Sequence, residues 1–325
     1  MIDRGGDFRR ILITGAAGSG GRYLAEYIEE HYPDRSIHGA FRRISRRDVG
    51  PVHYPHEVNL LDTSSIIECL RKSLPDVVFH LAADADVLAS FHTPSAVLHN
   101  NIVGTSNLLE AIRLERINPV FVMCSSSEVY GDVLPSEAPI KENCPMRPMS
   151  PYAVSKVAQD LLASVYFKAY QMRIIITRTF SYLNMHRSDL FTSHFAQQIA
   201  LIEAGKLKEL CHGNLDSVQA ILDAKDVMRG YWMAACRGRY GEAYNIGVAE
   251  VTSVRDVLAR LIKMSSVPIP NVVNHRLLRP ADVTLQIPDC SKFQRETGWK
   301  PPLDLDESLK ELLNYWREKV KNDPD

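Results

Sequence analysis

Short apolar runs alternate with longer amphipathic segments through the first half of the chain. Apolar residues spaced as on one face of a helix predict helices over 20–31, 63–73 and roughly 94–115. The runs typical of buried strands lie at residues 10–14, 36–41, 56–60, 76–81 and 119–124. This alternation predicts βαβ units, in which helices cover both faces of a parallel sheet.

The alternation continues beyond residue 150 and then becomes less regular. Ser150 is a favourable N-cap and Pro151 suits a first helical turn, which predicts a helix over 151–170. A buried strand is predicted at 173–179. The elements predicted after it are helices at 190–205, 225–236, 252–264 and 305–320 and a strand at 242–247. Together they predict an α/β fold, a Rossmann-type doubly wound parallel sheet with a smaller, interleaved C-terminal domain.

Composition and charge exclude several classes of protein. Of the 325 residues, 45% are hydrophobic and 24% are charged, as in an ordinary globular protein. A formal net charge of -1 favours no nucleic-acid partner. The polar N-terminus is unlike a signal peptide, and no apolar run approaches the ~20 residues that span a bilayer, so we expect a cytoplasmic protein without a membrane partner. None of the six cysteines lies in a C-x-x-C pair, so neither a disulfide framework nor a metal site is expected.

Three glycines follow the first predicted strand and open the first predicted helix. Gly15, Gly18 and Gly21 are spaced three residues apart in "TGAAGSGG". Glycine permits a tight turn and the close approach of a pyrophosphate, and a helix N-terminus offers free N–H groups to that anion. This context favours a dinucleotide-binding loop over an ordinary flexible turn.

The end of the second predicted strand bears on the choice of dinucleotide. An acidic residue there would bind the ribose 2′-hydroxyl of NAD, but the sequence is "GAFRR", with Arg42 and Arg43. Two guanidinium groups suit a 2′-phosphate, so NADP(H) is favoured and NAD(H) stays open. The alternative is a solvated basic loop.

Tyr152 and Lys156 lie four residues apart in "SPYAVSK", on one face of a predicted helix. An ammonium group beside a phenol lowers the pKa of the phenol, which suits Tyr152 to proton exchange near neutral pH. The polar segment "CSSSEVYG" follows the fifth predicted strand, at the carboxyl edge where open α/β sheets bind ligands. A tyrosine–lysine pair on a helix surface is the alternative.

These motifs, together with "HLAA" (80–83) and "NIVGT" (101–105), resemble those of the extended short-chain dehydrogenases/reductases that act on nucleotide sugars. The resemblance covers essentially the whole chain. The segments "MRPMSPYAVSK", "GNLDS", "LLRPADV" and "TGWKP" resemble the branch that contains the GDP-mannose 4,6-dehydratases and the GDP-4-keto-6-deoxy-mannose reductases.

The resemblance implies catalytic roles at matching positions. Tyr152 would exchange a proton with the sugar C4 oxygen, and Lys156 would hold the nicotinamide ribose. Ser126 would hydrogen-bond the same C4 oxygen. Glu128 matches the carboxylate that a dehydratase uses at C5 and C6, although reductases that resemble this chain also carry a glutamate there; its alternative role is structural.

The resemblance also implies binding residues. Asn59 and Leu60 fall where the adenine would lie. The implied cofactor-binding residues are Gly15, Gly18, Gly21, Arg42, Arg43, Asn59, Leu60, Leu81, Ala82, Ala83, Asn101, Tyr152 and Lys156. Arg279 would meet the phosphates of the sugar nucleotide, the alternative being an ion pair with Asp282.

Two departures from the family pattern concern the substrate side. Gln219 and Ala220 replace a usual Arg-Asp pair, and Ser181 and Tyr182 replace a usual Asn-His pair. Arg187 is a candidate for the missing charge. The substrate-binding residues expected are Ser126, Arg187, Gln219 and Arg279.

The resemblance implies an NADP(H)-dependent reductase of a GDP-linked 4-keto-6-deoxy hexose in activated deoxysugar biosynthesis. The alternatives are a GDP-mannose 4,6-dehydratase, a C4 epimerase with tightly retained NAD, and a non-catalytic cofactor-binding regulator. Residues 1–180, with returning segments near 213–250, would form the NADP-binding domain, and residues 181–325 mainly the substrate-binding domain. A homodimer or homotetramer is expected by resemblance.

Overall fold

The computed structural model describes residues 3–44, 49–283, 285–301 and 304–322. The strands are β1 (Arg10–Thr14), β2 (Ser36–Phe41), β3 (Tyr54–Glu57), β4 (Val77–His80), β5 (Val120–Ser126), β6 (Ile174–Thr179), β7 (Leu210–His212), β8 (Val218–Gln219), β9 (Ala243–Ile246), β10 (Thr252–Ser253), β11 (Asn271–Val273) and β12 (Leu285–Gln286). The helices are α1 (Ser19–His31), α2 (Thr63–Ser73), α3 (Val87–His92), α4 (Pro94–Leu98), α5 (Gly104–Leu114), α6 (Pro151–Tyr170), α7 (Phe191–Glu203), α8 (Ala224–Arg237), α9 (Val254–Lys263), α10 (Ser291–Thr297) and α11 (Leu305–Asn322).

Seven strands form one parallel sheet, in the order β3-β2-β1-β4-β5-β6-β9. The strand order reverses between β1 and β4, which is where open α/β sheets leave a crevice for ligands at their carboxyl edge. The predicted Rossmann-type sheet is confirmed. Strand β9 lies beside β6, so the chain returns to this sheet after residue 180.

Alternate residues of the central strands pack on opposite faces of the sheet. In β1, Ile11 and Ile13 join one buried cluster with α1 and α8, whereas Leu12 joins another with α2 and α5. Successive side chains of a strand point to opposite faces, so a strand that is apolar throughout needs helices on both sides. This explains why the apolar runs of the sequence are continuous.

A third buried cluster lies away from the main sheet. Helices α7, α9 and α11 pack through residues such as Phe195, Leu258 and Leu309. Short strands accompany these helices, in a three-stranded sheet of the order β10-β8-β12 and a β11–β7 pair. Strands of two or three residues show no measurable alternation, and the six-residue helix α3 shows no helical period, so the sequence did not predict them.

Two predicted elements differ from the structure. The strand predicted at 56–60 lies at Tyr54–Glu57, because the Asn59 side chain accepts a hydrogen bond from the Leu61 N–H (3.0 Å) and turns the chain toward α2. The helix predicted at 94–115 contains a π-helical segment, His99–Val103, between α4 and α5. Within the residues that the structure describes, no helix is both long and apolar enough to cross a membrane.

Candidate active site

A cavity of about 980 Å³ opens at the carboxyl edge of the main sheet. It brings together most of the residues expected from the sequence. Those in its lining are Gly15, Gly18, Gly21, Leu81, Ala83, Ser126, Glu128, Tyr152, Lys156, Arg187, Gln219 and Arg279. The expected residues outside this lining are Arg42, Arg43, Asn59, Leu60, Ala82 and Asn101, and they are described below.

The glycine loop is a tight turn in which a side chain at Gly15 or Gly21 would collide with the backbone. Gly15 has φ +72°, and a Cβ atom there would lie 2.8 Å from the backbone nitrogen of Ala82. A Cβ atom at Gly21 would lie 2.4 Å from the Gly15 carbonyl oxygen. Gly18 precedes the first residue of α1, and its N–H donates to the Gly15 carbonyl (2.9 Å). The N-terminus of α1 therefore faces the cavity across a thin backbone turn, as an anion site requires.

Of the two arginines after β2, Arg42 lies near Asp84, a residue of the cavity lining. The Arg42 side chain is 72% exposed, and its Nη2 donates to Asn100 Oδ1 at 3.2 Å. The same nitrogen lies 3.8 Å from Asp84 Oδ1. Arg43 is exposed. Arg42 thus reaches from β2 toward the loop after β4, along the edge where a dinucleotide would leave the glycine turn.

Of three other expected cofactor residues, Asn101 contacts a residue of the cavity lining. Leu60 packs beneath Gly104, where a Cβ atom would lie 3.0 Å from the Leu60 Cβ. Asn101 is buried; its Nδ2 donates to the Asp84 carbonyl (3.1 Å) and to Ser155 Oγ (2.9 Å), and its Oδ1 accepts from the Asp84 N–H (2.8 Å). Asn101 therefore ties the loop after β4 to α6. Asn59 turns the chain after β3, as described above.

Helix α6 places Tyr152 and Lys156 side by side in the cavity. Ser150 caps the helix, with its Oγ accepting from the Ala153 N–H at 3.1 Å. Tyr152 and Lys156 are only 8% and 4% exposed, and the lysine Nζ lies 5.8 Å from the centre of the tyrosine ring. Nζ donates to the Cys124 carbonyl at 2.9 Å, which fixes the ammonium at the end of β5.

Burial dominates the titration of both side chains. It raises the pKa of Tyr152 above its usual value, and this effect exceeds the lowering by the Ser126 hydrogen bond and the Arg187 charge. The net lowering expected from the sequence was therefore wrong, because desolvation of a phenolate outweighs the nearby positive charge. Burial also lowers the pKa of Lys156 to about 8. The phenol therefore keeps its proton at neutral pH, whereas the ammonium group of Lys156 loses its proton near pH 8.

Ser126 and Glu128 project from the end of β5 toward this pair. Ser126 Oγ accepts a hydrogen bond from the Glu128 N–H at 3.2 Å. The Glu128 carboxyl is 19% exposed, and burial raises its pKa, with the Arg279 charge acting in the opposite direction. A partly desolvated carboxyl in the cavity is available for proton transfer.

The arginines on the substrate side are paired with carboxylates. Arg279 Nη1 lies 3.4 Å from Asp282 Oδ1 and 3.8 Å from Glu128 Oε1. The Asp282 pairing that the sequence left open is therefore present, in a position that still faces the cavity. Arg187 pairs with Asp189 through Nε (3.0 Å) and Nη2, and it also donates to the Ala85 carbonyl at 3.2 Å.

Three of the four residues that depart from the family pattern, Ser181, Tyr182 and Gln219, line the cavity, whereas Ala220 is buried in the core. Ser181 Oγ donates a hydrogen bond to Gln219 Oε1, so the two substituted positions satisfy each other. Tyr182 lines the cavity next to the glycine loop; its hydroxyl would lie 3.6 Å from a Cβ atom at Gly20.

Tyr231 and Asp189 are among the lining residues that the sequence did not predict. The Tyr231 hydroxyl, on α8, lies 2.9 Å from Thr179 Oγ1. Asp189 follows Arg187 by two residues, but sequence alone did not indicate their pairing. Tyr231 reaches the cavity from a helix that no motif marks.

Comparisons with known proteins fit this geometry. The sequence model of the GDP-mannose 4,6 dehydratase family matches residues 12–312. The GDP-6-deoxy-D-mannose reductase of Pseudomonas aeruginosa is 28% identical over 317 residues, which cover 97% of this chain and 99% of that protein. The chain therefore belongs to the GDP-mannose 4,6-dehydratase family, within the extended short-chain dehydrogenases/reductases, and the family predicted from the sequence is confirmed.

Solved structures show the same architecture. RMD from Pseudomonas aeruginosa, complexed with NADPH, superimposes with a TM-score of 0.83 at 27% identity, covering 96% of this chain and 99% of that one. UDP-glucuronic acid 4-epimerase from Bacillus cereus, solved with UDP-glucuronic acid and NAD, gives 0.83 at 26% identity, covering 95% and 99%. Solved structures with this fold thus contain NADPH in one case and NAD in the other.

Proposed function

We propose that this protein is an NADP(H)-dependent reductase of a GDP-linked 4-keto-6-deoxy hexose. The observation that carries the proposal is the position of Tyr152, Lys156 and Ser126 in one cavity with the glycine loop. The similarity to the Pseudomonas aeruginosa GDP-6-deoxy-D-mannose reductase over nearly the whole of both chains supports the substrate class.

The residues present fit a nicotinamide dinucleotide. The tight turn at Gly15 and Gly21 brings the N-terminus of α1, where a pyrophosphate would bind, into the cavity that Leu81, Ala83 and Tyr152 also line. When bound, the reduced cofactor supplies a hydride to the keto carbon. Lys156, held on the Cys124 carbonyl, would hydrogen-bond the ribose next to the nicotinamide.

The chain's own contribution to the reaction is proton delivery and orientation. The Ser126 and Tyr152 hydroxyls would hydrogen-bond the C4 carbonyl oxygen and so fix the face of the sugar that is attacked. Tyr152 keeps its proton because burial raises its pKa, and it transfers that proton to the C4 oxygen as negative charge develops there. The Lys156 ammonium stabilises the negative charge that passes to the phenol oxygen.

The preference for NADP(H) rests on Arg42 and Arg43. A guanidinium fork pairs well with a phosphate, and Arg42 reaches over the rim toward Asp84 and Asn100. NAD(H) is the alternative cofactor. A C4 epimerase, the third candidate reaction, would be expected to retain NAD tightly.

The 4,6-dehydratase is the second candidate, and Glu128 favours it. A dehydratase must remove the C5 proton and expel the C6 hydroxyl, which needs an acid/base group besides Tyr152. Glu128 lies in the cavity, and burial raises its pKa. A reductase needs no second acid/base group, so Glu128 would then only hold Arg279. A non-catalytic regulator is disfavoured, because it would have no chemical reason to retain Ser126, Tyr152 and Lys156.

Two parallel incubations test the assignment. In one, the protein is given GDP-mannose with NADP; in the other, it is given GDP-4-keto-6-deoxy-mannose with NADPH. Products are identified by mass. A mass gain of two hydrogens in the second incubation supports the reductase, and loss of water in the first supports the dehydratase. No conversion in either would refute both.

We also propose a homodimer or homotetramer. Val154, Leu161 and Val165 form an exposed apolar stripe along one face of α6, at 43%, 57% and 54% exposure. Leu114, at the end of the neighbouring α5, is 51% exposed. Pairing of two copies through α5 and α6 would bury this surface.

The location and domain division are likewise proposals. All six cysteines are unpaired, which supports a reducing compartment and so the cytoplasm. The buried cluster of α7, α9 and α11 supports a substrate-binding domain formed mainly by residues 181–325, with the main sheet as the cofactor-binding domain.

A further inference from the structure

Arg187 and Arg279, the two arginines in the cavity lining, differ in how firmly carboxylates hold them. Arg279 makes single contacts of 3.4 and 3.8 Å with Asp282 and Glu128. Arg187 forms a two-point pair with Asp189, through Nε and Nη2. Only the second pair occupies the fork of the guanidinium, the arrangement that a phosphate would use.

Arg187 is also anchored across the cavity. Its Nη2 donates to the Ala85 carbonyl at 3.2 Å, so the side chain bridges the loop after β6 and the loop after β4. Gln219, which lines the same cavity, is uncharged, and its amide oxygen accepts from Ser181 Oγ. Arg187 therefore brings a positive charge to this part of the cavity, but Asp189 already occupies its fork.

We propose that Asp189 competes with the diphosphate of the substrate for the Arg187 guanidinium and so sets the affinity of the site for a nucleoside-diphosphate sugar. The inference rests on the proposed function. The Nε–H and one Nη2–H of Arg187 donate to Asp189 and the other Nη2–H donates to the Ala85 carbonyl, so the same donors cannot also fork onto a phosphate. A two-point contact between Arg187 and the diphosphate through this fork thus requires the Asp189 pair to open. Both side chains are partly exposed, at 24% and 37%, which permits this exchange.

The test is a double-mutant cycle read by calorimetric titration of GDP into the NADPH-saturated protein. The variants are Asp189→Asn, Arg187→Gln and both together. Asp216→Asn is the matched control, because it removes the same charge from an exposed ion pair with Arg255 outside the cavity lining. Guanosine, which lacks the diphosphate, is titrated as a second probe. Thermal unfolding verifies that each variant is folded, and Asp189→Ala is the second substitution if asparagine destabilises the loop.

Asp189→Asn should tighten GDP binding about two- to fivefold, the range of a partly exposed ion pair. In the Arg187→Gln background the same change should have no effect, and guanosine binding should stay constant throughout. Unchanged or weaker GDP binding in Asp189→Asn, or equal tightening without Arg187, would overturn the competition.

Failure of the proposed function gives a different result. If the cycle behaves as expected but no GDP-sugar is converted, the competition stands and the proposed reaction is wrong. If the parent binds UDP or dTDP instead of GDP and the cycle holds with that nucleotide, only the base is wrong. If none of the three diphosphates binds, the competition itself is refuted.

Discussion

Replacing Tyr152 with phenylalanine tests the proposed chemistry most directly. The change removes one hydroxyl group from a side chain that is only 8% exposed and leaves the packing of the ring intact. The hydroxyl accounts for the hydrogen bond with Ser126 and, in the proposed reaction, for the proton given to the C4 oxygen.

The two consequences differ in size. Loss of one hydrogen bond changes the free energy of unfolding by about 0.5–1.5 kcal/mol. Loss of a positioned proton donor lowers the rate about 10²- to 10⁴-fold, which corresponds to about 2.7–5.4 kcal/mol in the activation barrier. Activity should therefore fall by far more than the change in stability can explain.

The assay follows NADPH oxidation in the presence of the 4-keto sugar, alongside thermal unfolding of the same samples. Tyr231→Phe is the matched control, because its hydroxyl also lines the cavity but is bonded to Thr179 at 2.9 Å. We expect this control to keep at least a tenth of the parent turnover. Parent-like turnover in Tyr152→Phe, or equal losses in both variants, would show that Tyr152 is not the proton donor.

Three further predictions follow from the site. Arg42→Ala combined with Arg43→Ala should weaken NADPH binding about tenfold and leave NADH binding nearly unchanged, measured by cofactor fluorescence; equal affinities of the parent for both cofactors would contradict the 2′-phosphate assignment. Because burial lowers the pKa of Lys156 to about 8, its ammonium form is present below that pH and lost above it, so kcat/KM for NADPH should decline as the pH rises through about 8, and Lys156→Met should lack this step. Glu128→Gln should keep substantial reduction of the 4-keto sugar; a parent that converts GDP-mannose to a 4-keto-6-deoxy product, lost in this variant, would establish the dehydratase instead.

The sequence by itself determined the elements whose signals are local. Continuous apolar runs predicted the strands of the main sheet, because both faces of that sheet are covered by helices. The cap at Ser150 predicted the start of α6, and the spacing of Tyr152 and Lys156 placed them on one helix face. The glycine spacing predicted a tight turn, which the structure forms. These signals depend on residues within one or two turns of each other, so they can be read without knowing the fold.

The tertiary structure decided the features that depend on distant residues. Burial by the surrounding protein raises the pKa of Tyr152, whereas the Lys156 charge alone would be expected to lower it. Tyr231 reaches the site from α8, far along the chain, and Gln219 is satisfied by Ser181, 38 residues away. Even Asp189, two residues from Arg187, is recognisable as its partner only because the loop folds the two side chains together while Ala85 holds the arginine from across the cavity. Charge pairing and burial are properties of three-dimensional neighbours, and the order of residues along the chain does not specify them.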